Sequence, residues 1–505
     1  MDSKIYPIVL CGGMGSRLWP MSRIEQPKQF QPVEGVGSPT YFQTTLQRHR
    51  GTIFGDPVVV TNARHGAIVD RQMRELQSGG IIIAEPAGRN TGPAVLAAAL
   101  VLLERDADAQ LLVLPSDHII KGDINRIIGA MEEPADDGRI VTFGVEPHYP
   151  ETGYGYIMDG GAYKNYAGLH RVSEFVEKPH FERAKQLLTT GFSYWASGIS
   201  LFRADTIIEE YTRFDPDTVA TVTEAVLRRS AKPVRAGGRE HMLLDEASFI
   251  KATSEPTERA VFEHSSAIAL APLPGIEWDD VGAWTAVHQI SNRTEDNNAI
   301  SGDVIALDTK NSLIRSGDRL VTVIGMQDVI VVDTPDAVLV TSREKAQDVK
   351  KLVEMMQSSD RSQVRSHLTR DTTWGQVETL RRAAGYNLRH LSVNPGALVT
   401  IDGAGIGPSV VTVVHGEGEC EFGGRKMRLK RGESLPISME VALTINNTGS
   451  ESLRLVQLMF DDKGEAAVDQ VNVSAELHAL PQTTRKGPET AAETKALEAA
   501  LNAAR

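Results

Sequence analysis

Between Ile5 and about residue 290 the chain alternates short, nearly continuous apolar runs with longer stretches of helical periodicity. That order predicts an α/β domain built on a largely parallel, Rossmann-like sheet. The predicted strands are Ile5–Cys11, Pro57–Thr61, Ile81–Ala84, Leu111–Leu114, Ile140–Val145, Arg171–Val176, Ser197–Phe202 and Ala267–Pro272, with an Ala-rich helix over Ala94–Leu103. Polar clusters follow several of these runs: Arg17, then Glu85 to Thr91, Asp117-His118, Glu177-Lys178, and Trp278-Asp-Asp-Val-Gly282. Open α/β sheets bind ligands beyond the carboxyl ends of their strands, so the clusters are expected to converge on one cleft.

The pattern changes after residue 300. Short β-branched runs, Val321–Ile324 and Val329–Val332, are broken by Gly302, Gly317, Gly325 and Pro335, which predicts a small all-β segment. Lys345 to Gln357 reads as a helix and Ser358 to Gln363 as a polar linker. From 374 to 460, strands such as Val410–Val414 and Leu453–Phe460 alternate with glycine turns, predicting a β-barrel. The Ala/Glu-rich stretch from Thr483 to Arg505 reads as a solvated helix or a frayed tail. The expected divisions are 1–295, 296–357, 358–470 and 471–505.

At 505 residues, two or three hydrophobic cores are expected. Fifty-three basic against 66 acidic residues give a net charge of −13, which disfavours a nucleic-acid surface or an anionic membrane as partner. Cys11 and Cys420 stand far apart, so neither a disulfide framework nor a cysteine zinc cluster is expected. The N-terminus lacks a signal pattern, and no apolar run approaches the roughly 18 to 20 residues of a membrane span. A cytoplasmic protein is expected.

The first predicted strand runs into Leu10-Cys-Gly12-Gly13-Met-Gly15-Ser-Arg17, followed by Gln26-Pro-Lys28-Gln-Phe30. Glycines let backbone N–H groups approach phosphate, and Arg17 and Lys28 add charge where a triphosphate would lie. The spacing is neither G-x-G-x-x-G nor G-x-x-x-x-G-K-[ST], which disfavours dinucleotide-binding and P-loop proteins. Asp117 and Asp280, each just after a strand, are hard oxygen donors suited to Mg²⁺, with helix capping as the plain alternative. His118 is expected to pack beside them, since imidazole is a poor Mg²⁺ partner.

Lys178 is a point charge suited to a phosphate monoester, and Glu177 can accept from sugar hydroxyls; an ordinary surface strand end is the alternative. Glu151-Thr-Gly-Tyr-Gly155-Tyr-Ile157 suits a hexose pocket or a plain hairpin. The loop Glu85 to Pro93, with Arg89, Asn90 and Thr91, would read a base edge or cap the following helix. Two anionic ligands over a metal imply in-line attack of the monoester oxygen on the α-phosphorus with loss of pyrophosphate. Positioning and charge neutralisation supply most of the rate in such a displacement, so no protein nucleophile is expected.

Leu10 to Phe30, Glu85 to Ala94, Leu114-Pro-Ser-Asp-His118, Pro150 to Ile157, Phe175 to Pro179 and Trp278 to Trp284 together resemble the mannose-1-phosphate guanylyltransferase family, in its order and at similar spacing. Gly302 to Val353 resembles that family's next segment, and the long form carries a cupin domain related to mannose-6-phosphate isomerases. The resemblance implies that GTP and α-D-mannose 1-phosphate give GDP-mannose and pyrophosphate, with Mg²⁺. By position it places Arg17 and Lys28, with Leu10, Gly12, Gly13 and Gly15, on the nucleotide, and Asp117 and Asp280 on the metal. It places Lys178 on the sugar phosphate, Gly155, Glu177 and Ser197 beside the sugar, and Glu85, Arg89, Asn90 and Thr91 around guanine. A homo-oligomer is expected by analogy.

Two departures stand out. Trp195-Ala196-Ser197-Gly198 replaces the family's Trp-Asn-Ser-Gly, removing an amide from the sugar side. No histidine lies between His390 and His415, nor between His415 and His478, so the imidazole-rich cupin metal site is not expected; a remade site would use Asp402 or Glu417. No isomerase activity is expected. Transfer to another nucleotide or hexose 1-phosphate, and a non-catalytic sugar-nucleotide sensor, are the alternative functions.

Overall fold

The eight apolar runs of the first domain are too short for stable helices and rich in β-branched residues, and all eight form strands. The computed structural model describes residues 5–460 except 14, 36, 236–237, 402–407 and 439–441. Asp402 and the tail from 471 lie outside the described residues.

We number the strands of the first domain β1 (Ile5–Cys11), β2 (Val58–Asn62), β3 (Gly80–Glu85), β4 (Gln110–Pro115), β5 (Ile119–Lys121), β6 (Ile140–Val145) and β7 (Tyr156–Ala162). They continue as β8 (His170–Val176), β9 (Ser193–Arg203), β10 (Ser230–Arg235), β11 (Arg239–Leu243), β12 (Ile268–Pro272) and β13 (Glu277–Asp279). Eleven of them make one sheet, ordered β10-β11-β3-β2-β1-β4-β9-β6-β12-β8-β7. The run β11-β3-β2-β1-β4 is parallel throughout. Beyond β4 only β6 and β12 pair in parallel, so the sheet is mixed rather than largely parallel. β7 also pairs with β9, closing β9, β6, β12, β8 and β7 into a ring.

Side chains alternate across the sheet, and both faces are covered. Ile8, Val58, Val60, Ile83 and Leu111 pack under the apolar helix Thr91–Leu103. Val9, Val59, Ile82 and Leu112 pack on the other side with Phe30, Phe42, Leu46 and Val69. The strand ends are thereby held rigidly, and every loop that follows one starts from a fixed point.

Residues 299–342 form short stacked strands. Ala299–Ser301, Leu313–Arg315 and Val329–Thr334 pair in parallel, as do Val304–Leu307 and Val321–Ile324, and Ala337–Ser342 closes the stack antiparallel to Val329–Thr334. Coil corners fall at Asp308, Asn311 and Asp328, all with positive φ, the region Asn and Asp tolerate best among non-glycine residues. The predicted helix over 345–357 begins as a tight 3₁₀ turn, Arg343–Asp348, before the α-helix Val349–Ser358.

The polar run Ser358–Gln363 is not a free linker. Ser362–Arg365 is a helical turn with Val364 buried among Leu18, Trp19, Trp284 and Val353, and the first compact unit ends at Arg365. The carbonyls of Gln363, Val364 and Arg365 accept hydrogen bonds from Trp19, Arg23, Ile24 and Glu25, contacts that side-chain patterning does not reveal.

The second unit begins at Ser366 and carries two antiparallel sheets, of six and four strands. Their alternating inward residues, Val377, Leu391, Val411 and Leu455 from one and Val399, Ile401, Cys420 and Ile445 from the other, share one core, as expected for a cupin-like β-barrel. Among the described residues no helix is long and apolar enough to cross a membrane.

Candidate active site

The turn after β1 is open where a phosphate would approach. Among the described residues no atom lies within 4 Å of where a Cβ would stand on Gly12 or Gly13. Gly15 is required for another reason: its φ is +57°, and a Cβ there would meet Lys28 Cβ at 2.7 Å. Arg17 is exposed and makes no ion pair among the described residues. Leu10 lies within the sheet, partly buried, its carbonyl accepting from Ser116 Oγ at 2.8 Å.

Lys28 differs from Arg17. Its side chain is only 3% exposed, and Nζ lies 3.1 Å from Asp117 Oδ2 while also donating to the Asp280 carbonyl. One ammonium thus joins the two acids singled out from sequence. The cause is a two-stranded sheet that sequence patterning does not reveal: β13 pairs with β5, matching Asp279 with Ile119 and Trp278 with Ile120. Residues after β4 and residues after β13, distant in sequence, are zipped side by side.

Burial pushes the Asp117 carboxyl up, but the Lys28 ammonium, the neighbouring His118 and the hydrogen bonds to the carboxylate together outweigh it and hold the group below the ordinary carboxylate range. Asp117 is therefore an anion, and its side chain is 32% exposed. Asp280 Oδ1 accepts from Tyr154 Oη at 2.8 Å and from the Gly282 N–H at 3.1 Å. Its other oxygen has no hydrogen-bond partner among the described residues. Asp279 is held up by burial and accepts from the Val281 N–H at 2.6 Å. His118 Nδ1 accepts from Trp278 Nε1 at 3.3 Å, and burial lowers its pKa, so it packs as a neutral ring beside the acids.

Among the described residues no three His, Cys, Asp or Glu side chains cluster closely enough to hold a metal unaided. Mg²⁺ takes one or two carboxylates and completes its shell with water and phosphate oxygens, so the exposed Asp117 carboxylate and the open oxygen of Asp280 fit it.

Gly155, Glu177 and Ala196 converge. A Cβ on Gly155 would lie 2.9 Å from Glu177 Oε2 and 3.2 Å from Ala196 Cβ, and the Ala196 N–H donates to the Gly155 carbonyl at 2.8 Å. Glu177 is held from behind: its N–H donates to Glu263 Oε1 at 2.9 Å. Lys178 has φ +46° and lies half exposed, its Nζ 2.6 Å from Glu177 Oε1. Tyr154, expected from sequence only as a pocket aromatic, packs edge-on to Trp195 and Trp278 while binding Asp280.

Ser197 does not join this group. It is fully buried, its Oγ donating to the Phe143 carbonyl at 2.7 Å, because strand alternation puts it on the same inner face as Trp195. On the base side, Asn90 caps the helix Thr91–Leu103 by accepting from the Thr91 N–H at 3.0 Å, and Arg89 donates to the Ile250 carbonyl. Thr91 Oγ1 accepts from the Thr257 N–H at 3.4 Å. These three side chains have structural partners, whereas Glu85 Oε1 is buried with none, and burial pushes its carboxyl up to about 8.

In the second unit His390 lies 3.6 Å from Glu378, on the face opposite to Leu391, and the exposed His415 lies 3.2 Å from Glu451. Glu417 pairs with Arg428 at the surface.

A nucleotidyl transferase family model matches residues 6–297, and a MannoseP isomerase/GMP-like beta-helix domain model matches 302–356. Mannose-1-phosphate guanylyltransferase ManC of Salmonella typhimurium is 36% identical over 465 residues, covering 90% of this chain and 95% of its own. Mannose-1-phosphate guanylyltransferase of Escherichia coli is 35% identical with the same coverage. A solved structure from Thermus thermophilus, described as a mannose-1-phosphate geranyltransferase, aligns with TM-score 0.61 and 27% identity, over 70% of this chain and 99% of that one. With about nine-tenths of its length matched by such relatives at about 35% identity, this chain belongs to the mannose-1-phosphate guanylyltransferase family.

Proposed function

We propose that the enzyme joins GTP to α-D-mannose 1-phosphate, releasing pyrophosphate and forming GDP-mannose, with Arg17 and Lys28 on the triphosphate and Lys178 on the sugar phosphate. The observation that carries this reading is Lys28 bridging Asp117 and Asp280 beside the open Gly12-Gly13 turn, with Tyr154 tying Asp280 to the Gly155–Glu177 pocket. Asp117 and Asp280 would hold Mg²⁺, which when bound neutralises charge on the phosphate oxygens. Arg17, free of ion-pair partners among the described residues, takes up the leaving pyrophosphate charge. Lys178 presents the sugar phosphate, and Glu177 accepts from hydroxyls of the hexose. Glu85, with the main chain that follows it, faces the guanine edge.

Exposed apolar side chains on the coiled segment, the stacked strands of residues 299–342, including Ile305, Leu307 and Ile324, support a homo-oligomer. His390, His415 and Glu417 are each directed to surface acid–base pairs, which supports a second unit without isomerase activity. Protein given GTP, mannose 1-phosphate and Mg²⁺ is expected to release pyrophosphate, and ATP or glucose 1-phosphate in their place to do so far more slowly. Equal rates across nucleotides and sugars would reject the assignment, and conversion of mannose 6-phosphate to fructose 6-phosphate would reject the reading of the second unit.

A further inference from the structure

Arg23 lies within the loop from Gly12 to Lys28, and its side chain is wholly removed from solvent. Nη2 stands 2.8 Å from Asp336 Oδ1 and Nη1 3.3 Å from Asp336 Oδ2, a two-pronged pairing suited to the planar guanidinium. Nε donates to the Pro20 carbonyl at 2.8 Å, inside the loop, while Nη1 also donates to the Gln363 carbonyl. Trp19 Nε1 donates to that same carbonyl at 3.0 Å. The N–H groups of Ile24 and Glu25 donate to the carbonyls of Val364 and Arg365 at 3.1 and 2.9 Å. On the far side every partner belongs to the coiled segment or to the chain that follows it.

The loop and the coiled segment also share an apolar core, in which Leu18 and Met21 pack with Leu339, Val349 and Val353. Apolar contact alone is non-directional and tolerates small slides. A buried ion pair adds little net stability over apolar residues of similar size, so stability does not explain why an arginine and an aspartate stand here. What the pair supplies is direction: five donors of one guanidinium, aimed at fixed acceptors, specify a single position for the loop.

We propose that Asp336 is a positioning residue for the nucleotide: acting through Arg23, it fixes the loop that carries Arg17 and Lys28, so that the coiled segment sets the geometry of triphosphate binding. This rests on the reading of Gly12 to Lys28 as the triphosphate loop, which Arg17→Ala tests by itself. A rise in KM for GTP in Arg17→Ala supports that reading, and no change there rejects the loop assignment whatever Asp336 does.

The Asp336→Asn variant keeps the size of the side chain and one acceptor oxygen but removes the charge. Its KM for GTP is expected to rise about tenfold, because a small misplacement of a binding loop is felt strongly, while KM for mannose 1-phosphate stays within about twofold of wild type. Asp336→Glu, which restores the charge, is expected to recover part of the GTP affinity. A merely structural pair would lower the melting temperature and leave both KM values unchanged, and that result would overturn the proposal. Equal rises for both substrates would also overturn it. Where Asp336→Asn does not fold, Asp336→Glu carries the same comparison; failure of both to fold makes the pair structural and ends the proposal.

Discussion

Tyr154 Oη donates to Asp280 Oδ1 at 2.8 Å, and this one bond ties the loop before β7 to the turn after β13. The next residue, Gly155, is the one against which Glu177 and Ala196 pack, so the acid pair and the sugar side of the cleft are mechanically joined. The ring of Tyr154 is held independently, edge-on to Trp195 and Trp278.

Tyr154→Phe keeps the ring packing and removes the hydroxyl. Loss of the bond that positions the Asp280 turn predicts a fall in kcat of about tenfold, since a small misplacement of a site residue is felt strongly in the rate. The melting temperature should move little, since Asp280 keeps the Gly282 N–H. Steady-state kinetics with saturating GTP and mannose 1-phosphate decide the matter: an unchanged kcat removes Tyr154 from the site.

Lys28→Met leaves the Asp117 carboxylate without its cation and the Asp280 carbonyl without its donor. Turnover should fall by at least about a hundredfold, because the same cation is needed on the triphosphate. Stability gives a second readout. The wild-type Asp117 carboxyl sits below its ordinary value of 3.8, so the pair's contribution is present above that pH and is lost as pH falls through the lowered value. Lys28→Met is therefore expected to melt earlier than wild type near neutral pH, with the gap closing in acid. A gap that stays constant from neutral to acid pH contradicts the pairing.

What is legible in the sequence, and what is not, follows from the range of the interactions. Ile5–Cys11 is identifiable because its apolar run is itself the cause of its burial, and the Gly15 requirement is written in the chain as a glycine. Asp117 and Asp280 are identifiable as strand-end acids, but their meeting depends on β5 and β13, strands of three residues each, too short to show a period. Arg23 looks like one more charge in a loop; only its burial against Asp336 sets it apart. Ser197 reads as a sugar-side residue by family position, and strand alternation, which that reading leaves out, buries it on the inner face with Trp195. Arg89, Asn90 and Thr91 suit base contacts or a helix cap equally in sequence; Asn90 makes the cap, while Arg89 and Thr91 bond to Ile250 and Thr257, partners distant in sequence that local pattern does not reveal.

Glu85 predicts an unusual pH dependence. Its ordinary value of 4.5 is raised by burial to about 8, so between those limits the folded chain holds a proton that the unfolded chain has released. Stability therefore falls as pH rises through that window and levels off above it, by at most about 1.4 kcal/mol per pH unit. Glu85→Gln removes the titration, and its melting temperature should vary less with pH across the window and exceed the wild-type value at the alkaline end. Parallel curves for the two proteins would show that Glu85 is ionised in the fold.

The sugar side gives the most discriminating prediction, because Glu177 and Ala196 both pack against Gly155. A methyl on Gly155 would stand 2.9 Å from Glu177 Oε2, too close for contact, so the carboxylate must swing away and Lys178, ion-paired to its other oxygen, moves with it. Gly155→Ala should raise KM for mannose 1-phosphate by about tenfold while leaving KM for GTP near wild type, since the loop from Gly12 to Lys28 is untouched. Ala196→Asn adds an amide beside Gly155, with a donor and an acceptor for sugar hydroxyls. If the pocket holds the hexose, Ala196→Asn changes the ratio of kcat/KM between mannose 1-phosphate and glucose 1-phosphate, because a polar group that meets a hydroxyl in one epimer is left unpaired in the other. A ratio equal to wild type in Ala196→Asn, together with an unchanged sugar KM in Gly155→Ala, would place the hexose elsewhere and leave Glu177 and Lys178 as an ordinary strand end.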